Sequence, residues 1–456
     1  MTTRPVIPRA RGFAALAALL LAACGPREPE YWALVGATVI PGDGSAPLPD
    51  QVILIRGTLI DEVAPREGFK FPKDTRQVDV TGRWVMPGLI DAHAHVATWA
   101  LPRFLAFGVT SVRDLHGLKD STLAWARRSW KANFAGPRIY SVGAMLDTPP
   151  LTCGDAIPVP TPDSGRRAVD HLTLAGADQF KVYTHITPSV LGAIVDEAAA
   201  FGLGVAAHLG LTDAVTASRI GVRTIEHLSG VPEATLANPA PLYEAHRASF
   251  FGGWTAFETS WASLDSTALA RTAERLASHR VILVPTLVLH DVLSRLDDST
   301  GYHRFALSFV PDSEKARWDV QGMIARAGWK ATNYAAFRAS RPKQDLFLRE
   351  FRRAGGRIAT GTDAGHQLIV PGYSLHEELE LLVRAGLTPL EAITAATANG
   401  AAALDADSLG AVAAGKVADL VILSKDPVAD IRNTRQVEQV VVRGRLLAAD
   451  SLRSVR

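Results

Sequence analysis

The chain has 456 residues, 47% hydrophobic and 21% charged, an ordinary globular composition. That length allows one large domain with a satellite, or two to three smaller ones. Lys+Arg 48 against Asp+Glu 46 leaves a net charge of +2, which gives no argument for nucleic-acid binding. In chain order, the first segment differs from all that follows. Arg4, Arg9 and Arg11 precede an apolar run over residues 12–23, and the polar stretch GPREPE comes next. The run is too short for a comfortable membrane span and fits an export signal.

Leu21, Ala22 and Ala23 directly before Cys24 resemble a bacterial lipobox. The resemblance implies a signal peptide over residues 1–23, cleavage before Cys24 and a lipid on its sulfur. The membrane partner would then be reached through Cys24, on the periplasmic side of a bacterial membrane. Gly25 after the cysteine resembles outer-membrane sorting. Plain secretory cleavage is the alternative. With Cys24 lipidated, Cys153 has no intrachain disulfide partner, and it reads as a structural thiol in a Pro-rich loop.

After a linker over residues 24–30, short strands are predicted over residues 32–40 (interrupted at Gly36), 51–55, 58–63, 77–80 and 83–85. Residues 418–423, 437–442 and 445–447 read the same way. One small β-sandwich built from both termini, residues 31–87 and 405–456, is expected. Between them, eight short apolar runs alternate with helical patterns. They cover residues 89–95, 109–113, 138–142, 179–183, 204–208, 224–227, 281–286 and 357–363. Val190, Ile194, Val195 and Ala198 illustrate the helical spacing. Eight such units fit a (β/α)8 TIM barrel over residues 88–404 better than an open doubly wound sheet. Two long connections, residues 229–280 and 288–356, are expected to shape access to a site.

His93 and His95 stand at i and i+2, so a strand turns both to one side. Two imidazoles there can share a metal ion, zinc among the suitable ones. His208 and His227 end the fifth and sixth runs, and Asp363 ends the eighth, which closes beside the first. All five belong at one barrel mouth. Lys181 ends the fourth run. A bare ammonium is costly there, whereas carboxylation by CO2 converts it to a carbamate able to bridge two metals. Facing outward or pairing with an acid is the other reading of Lys181.

These positions, with VMPGLIDAHAHV, IEHLSG and TGTDAG around them, resemble the amidohydrolase superfamily, in its imidazolonepropionase-like and prolidase-like branch. GVTSVRDL, LTPLEAITAATANGAAAL and AGKVADLVIL agree. The resemblance implies two divalent ions, zinc foremost. His93, His95 and Asp363 would hold one, His208 and His227 the other, with N6-carboxylated Lys181 and a hydroxide between. Asp363 would be the catalytic proton carrier. The implied substrate is a small molecule, dipeptide-like or an N-acyl amino acid, cleaved at a C–N bond.

A cyclic amide or lactone hydrolase is the alternative within the fold, and an inactive lipid-anchored binding protein is the alternative outside it. Tyr183, His290 and His366 are the substrate-contact candidates. Arg113 is the one arginine considered for a substrate carboxylate, and His185 a residue that could back the site. Oligomeric state is left open, a homo-oligomer included.

Overall fold

The computed structural model describes residues 31–453, apart from residues 118, 132 and 299–303. The expected signal peptide and lipidated Cys24 lie outside the described residues. No helix among the described residues is long and apolar enough to cross a membrane.

Both chain ends meet in one eight-stranded sheet. Its order is Arg445–Ala448, Val437–Val442, Leu420–Leu423, Trp84–Pro87, Tyr31–Val39, Leu48–Arg56 and Leu59–Pro65, with Arg76–Asp79 also on Tyr31–Val39. The sheet folds back on itself through a bridge between Leu59 and Val417. The alternation within Leu48–Arg56 explains its unbroken apolar run. Ile53 and Ile55 pack into one cluster with Leu34 and Ile422, while Val52 and Leu54 pack on the other face beside Phe69 and Phe71. The interruption expected at Gly36 is a bulge inside a continuous strand. The register shifts between Val35 and Ala37, and Gly36 has φ 88°. Val421, Leu423 and Val440 turn to the barrel and join its core. The small domain thereby docks on the large one.

The eight apolar runs form the barrel strands Leu89–Ala94, Val109–Asp114, Arg138–Ser141, Phe180–Val182, Val205–Ala207, Thr224–Glu226, Ile282–Val284 and Arg357–Ile358. Parallel pairing is continuous from the fourth to the eighth, for example Lys181 opposite Ala206 and Ile225 opposite Leu283. The third and fourth are joined by Asp178 N–H to Ser141 O at 2.8 Å. The barrel closes where Ala92 N–H donates to Thr360 O at 2.9 Å.

The eighth run departs from the expected strand over residues 357–363. Regular pairing stops at Ile358, and residues 359–364 continue beside the first strand as irregular chain, bridged to it at Ala364. Gly361 makes this close approach possible, since a Cβ there would lie 2.4 Å from Val284 and 2.7 Å from the His93 side chain.

Helices between strands form where the apolar spacing foretold. Pro188–Ala200 starts with proline in its first turn and buries Val190, Ile194 and Ala198. The two long connections are helical. The first holds Phe250–Ser260 and Ser266–Ser278, and the second holds Leu287–Leu293, Val320–Ala327 and the long Ala331–Arg353.

Inside the barrel, below the mouth, the Arg113 guanidinium reaches Glu226 at 2.9 Å and Gln179 at 2.9 Å, and donates to the Ala92 carbonyl at 2.7 Å. Arg113 and Glu226 are wholly buried. Arg113 is therefore committed to the barrel interior and is unavailable to a substrate carboxylate, contrary to the sequence expectation. Removing one partner of a buried ion pair leaves the other uncompensated, at a cost of about 3–5 kcal/mol. Arg113→Met is expected to lower stability by about that amount in denaturant unfolding. A loss below about 1 kcal/mol would contradict this role.

Candidate metal centre and active-site cavity

All six proposed metal positions converge on one cavity of about 400 Å³ at the C-terminal mouth of the barrel. His93 and His95 arrive from the end of the first strand, and Lys181 from the fourth. His208 and His227 stand just past the fifth and sixth. Asp363 lies on the irregular segment after the eighth. His227 (φ 59°), its neighbour Leu228 (φ 58°), Thr286 (φ 48°) and Asp363 (φ 62°) are left-handed. Such backbone is unfavourable for side chains of this kind and is kept only where the surroundings enforce it. Here it turns the chain sharply at the strand ends.

The imidazole rings form a contiguous series. Ring centres lie 5.7 Å apart for His93 and His95, 4.4 Å for His93 and His227, and 4.7 Å for His208 and His227. Three rings are tied through Nδ1. His93 Nδ1–H donates to the Glu226 carboxylate at 2.7 Å, and His95 Nδ1–H to the His116 carbonyl at 2.7 Å. His227 Nδ1 is 2.7 Å from the Thr286 hydroxyl. Burial opposes ionisation of Glu226, but the Arg113 guanidinium and the His93 ring hold its carboxyl down at about 2. Glu226 is thus an anion that fixes His93 with its proton on Nδ1, the usual support for a metal-binding imidazole.

In the neutral rings Nε2 carries a lone pair; burial opposes protonation, but the Asp363 carboxylate raises His95 to about 9, so without metal that ring takes a proton. Asp363 Oδ1 lies 2.7 Å from His95 Nε2 and 3.4 Å from His93 Nε2. That oxygen is buried and makes no hydrogen bond of acceptable geometry. Lone pairs this close call for a cation or a proton between them. Among the described residues, donor atoms of His93, His227 and Asp363 lie within 4.8 Å of one another, close enough to share an ion. Lys181 Nζ is buried at the same place and has no hydrogen-bond partner. Burial pulls its amine down to about 8, which favours the neutral nucleophile. An unsatisfied buried amine, an unsatisfied carboxylate oxygen and tethered imidazoles form a donor set that fits divalent metal.

Tyr183 and His366 line the cavity as expected. His290 does not, which corrects its assignment as a substrate contact. It lies on Leu287–Leu293, and its ring stacks on Trp254 at 5.5 Å, with Nδ1 on the Glu258 carboxylate. Trp254 lines the cavity, so His290 supports that wall from behind. His185 is buried, its ring between the carbonyls of Pro150 and His246. Cys153, expected to be structural, lines the cavity instead, and burial pushes its thiol up to about 11.

Sequence reasoning missed Glu226, Thr286 and the part of the apolar wall formed by Phe250, Phe251 and Trp254. Glu226 was accessible to it. Thr224 and Glu226 stand at i and i+2 in a strand and so share the inward face.

Among known proteins, the family model described as "Amidohydrolase family" matches residues 84–447. Ochratoxinase of Aspergillus niger is 25% identical, the match covering 89% of this chain and 83% of that protein. Imidazolonepropionase of Pseudomonas putida is 26% identical over 87% of this chain and 92% of its own. In structure the chain is similar to a Xaa-Pro dipeptidase with bound methionine, with TM-score 0.67 and 20% identity over 92% of this chain and 100% of that one. That last likeness speaks for the barrel fold alone. With the matched segment running from the terminal sheet through the whole barrel and back, the chain belongs to the amidohydrolase family.

Proposed function

We propose that this chain is a metal-dependent hydrolase of carbon–nitrogen bonds in small amides, dipeptide-like compounds and N-acyl amino acids. The observation that carries the reading is Lys181. Its buried, partnerless Nζ stands at one mouth with four imidazoles and a carboxylate. In the proposal, the neutral amine attacks CO2, a C–N bond forms, and one proton leaves to solvent, giving a carbamate anion. His93, His95 and Asp363 would hold one divalent ion and His208 and His227 a second, zinc foremost, and the carbamate of Lys181 would ligate them as well. Bound ions of this kind supply Lewis acidity to a carbonyl and can lower the pKa of water to about 7.

The chain's own residues do the rest. Glu226, the His116 carbonyl and Thr286 fix the rings of His93, His95 and His227. Asp363 Oδ1, with no hydrogen bond to hold it, accepts the proton of the attacking water and delivers it to the departing nitrogen. Tyr183 and His366 line the same cavity and would donate to substrate oxygens. The wall around Trp254 excludes bulk water from the carbonyl.

The test is a zinc-loaded chain beginning after Cys24, assayed on dipeptides, N-acyl amino acids and cyclic amides. Release of amine from the first two groups is the expected result. Turnover of cyclic amides or lactones alone would replace this reading with an imidazolonepropionase-like one, which the 26% identity to imidazolonepropionase keeps in view.

A further inference from the structure

The cavity has two unlike halves. The floor is the polar cluster of histidines, Lys181 and Asp363. The wall is apolar and comes from both long connections. Helix Phe250–Ser260 supplies Phe250, Phe251 and Trp254, while the second connection supplies Leu289, Met323 and Trp329. The aromatic members touch in series. Tyr183 stacks with Phe250 at 6.0 Å and 19°, Phe250 meets Phe251 at 5.5 Å, and Phe251 meets Trp329 at 5.9 Å. Trp254 lies 6.2 Å from His208 and 6.1 Å from His227, so the wall begins at the polar floor itself. The wall is also held rigidly. Trp329 Nε1–H donates to the Thr255 hydroxyl at 2.8 Å, and His290 backs Trp254.

Charge points the same way. Among the described residues lining the cavity there is no arginine, and Lys181 is the one lysine. Arg113 is sealed in the barrel interior. At the rim, His116 faces the exposed carboxylate of Asp155 at 3.2 Å, which would repel a second anion. A substrate carboxylate placed against Phe251, Trp254 and Trp329 would be desolvated with no arginine or lysine beside it, which is costly. Aromatic groups, in contrast, gain both area burial and ring contacts there.

We infer that the preferred substrate is a neutral amide bearing an aromatic or similarly bulky apolar group, with no free carboxylate beside the scissile bond. The inference rests on the amide-hydrolase reading for its reaction, and on the cavity wall for its specificity. Within the small amides proposed above, it ranks uncharged aromatic amides ahead of the dipeptides and N-acyl amino acids, which carry a carboxylate beside the scissile bond.

Three compounds test it on the full chain. N-(2-phenylethyl)phenylacetamide and phenylacetyl-phenylalanine share both rings and the scissile amide, and differ by the carboxylate alone. N-methylacetamide lacks the rings. With zinc bound, kcat/KM is expected to be at least about tenfold higher for the neutral aromatic amide than for either other compound. A second readout is binding to the zinc-free chain, followed by quenching of tryptophan fluorescence. It should show the same order. Phe250→Ala, or Trp254→Phe if the alanine variant folds poorly, should weaken that binding by about tenfold with zinc content unchanged.

Equal or better use of the acid would overturn the inference, as would binding that ignores the rings or is untouched by both variants. Preferential binding of the neutral aromatic compound without turnover of any of the three would support the specificity and sink the hydrolase reading instead.

Discussion

Replacing Lys181 by alanine is expected to lower the zinc content of the chain from two ions to one, and amide hydrolysis with it by at least about a thousandfold. The physical ground is the emptiness around its amine. A lysine without function would find an acid or reach water, yet Nζ here is buried and partnerless. Burial, reinforced by repulsion from Arg113, outweighs the attraction of Glu226 and Asp363, so the amine sits at about 8. That environment is poor for an ammonium and good for a carbamate beside cations. Lys181→Ala removes the amine on which the proposed carbamate would form while leaving the histidines in place. Metal analysis by mass spectrometry and a steady-state assay read the two effects separately. Partial recovery with added short-chain carboxylate is also expected, because the cavity left by the side chain can take one. Unchanged stoichiometry would remove the bridging role of Lys181.

Asp363→Asn should cut kcat by about 10²–10⁴, the usual worth of a positioned acid–base group, with a smaller effect on KM. The substitution keeps the shape and one acceptor oxygen but abolishes the charge and the proton affinity. The replacement side chain would also have to sit on the left-handed backbone of Asp363, which asparagine tolerates well. Folding should thus be preserved, and thermal unfolding checks that it is. A loss below tenfold in kcat would mean that the proton is carried elsewhere, with His366 the neighbouring alternative at the cavity.

The barrel was readable because each strand is a local apolar run ending in a polar residue, a pattern that needs no long-range information. The same holds for His93, His95, His208, His227 and Asp363, each at or just beyond a strand end. Four features were not readable in this way. His290 follows Thr286, whose left-handed backbone turns the next helix and sends the ring behind Trp254 instead of into the cavity. Arg113 looked available because its partner Glu226 stands 113 residues further along the chain, and strand pairing alone brings them together. The apolar wall comes from helices of the two long connections, whose amphipathic pattern tells that they pack but not on what. Cys153 sits in a loop whose course depends on neighbouring Asp147, which accepts from Thr152 N–H at 3.1 Å and His185 N–H at 2.8 Å.

The central claim is that four histidines, Lys181 and Asp363 form one centre for two metal ions that is needed for amide hydrolysis. Stripping the chain with a chelator and titrating zinc back, with bicarbonate present, tests it most directly. The account predicts no amide hydrolysis in the stripped chain and recovery that reaches its plateau at two equivalents of zinc per chain. Full activity without metal, or a plateau at one equivalent, would contradict it.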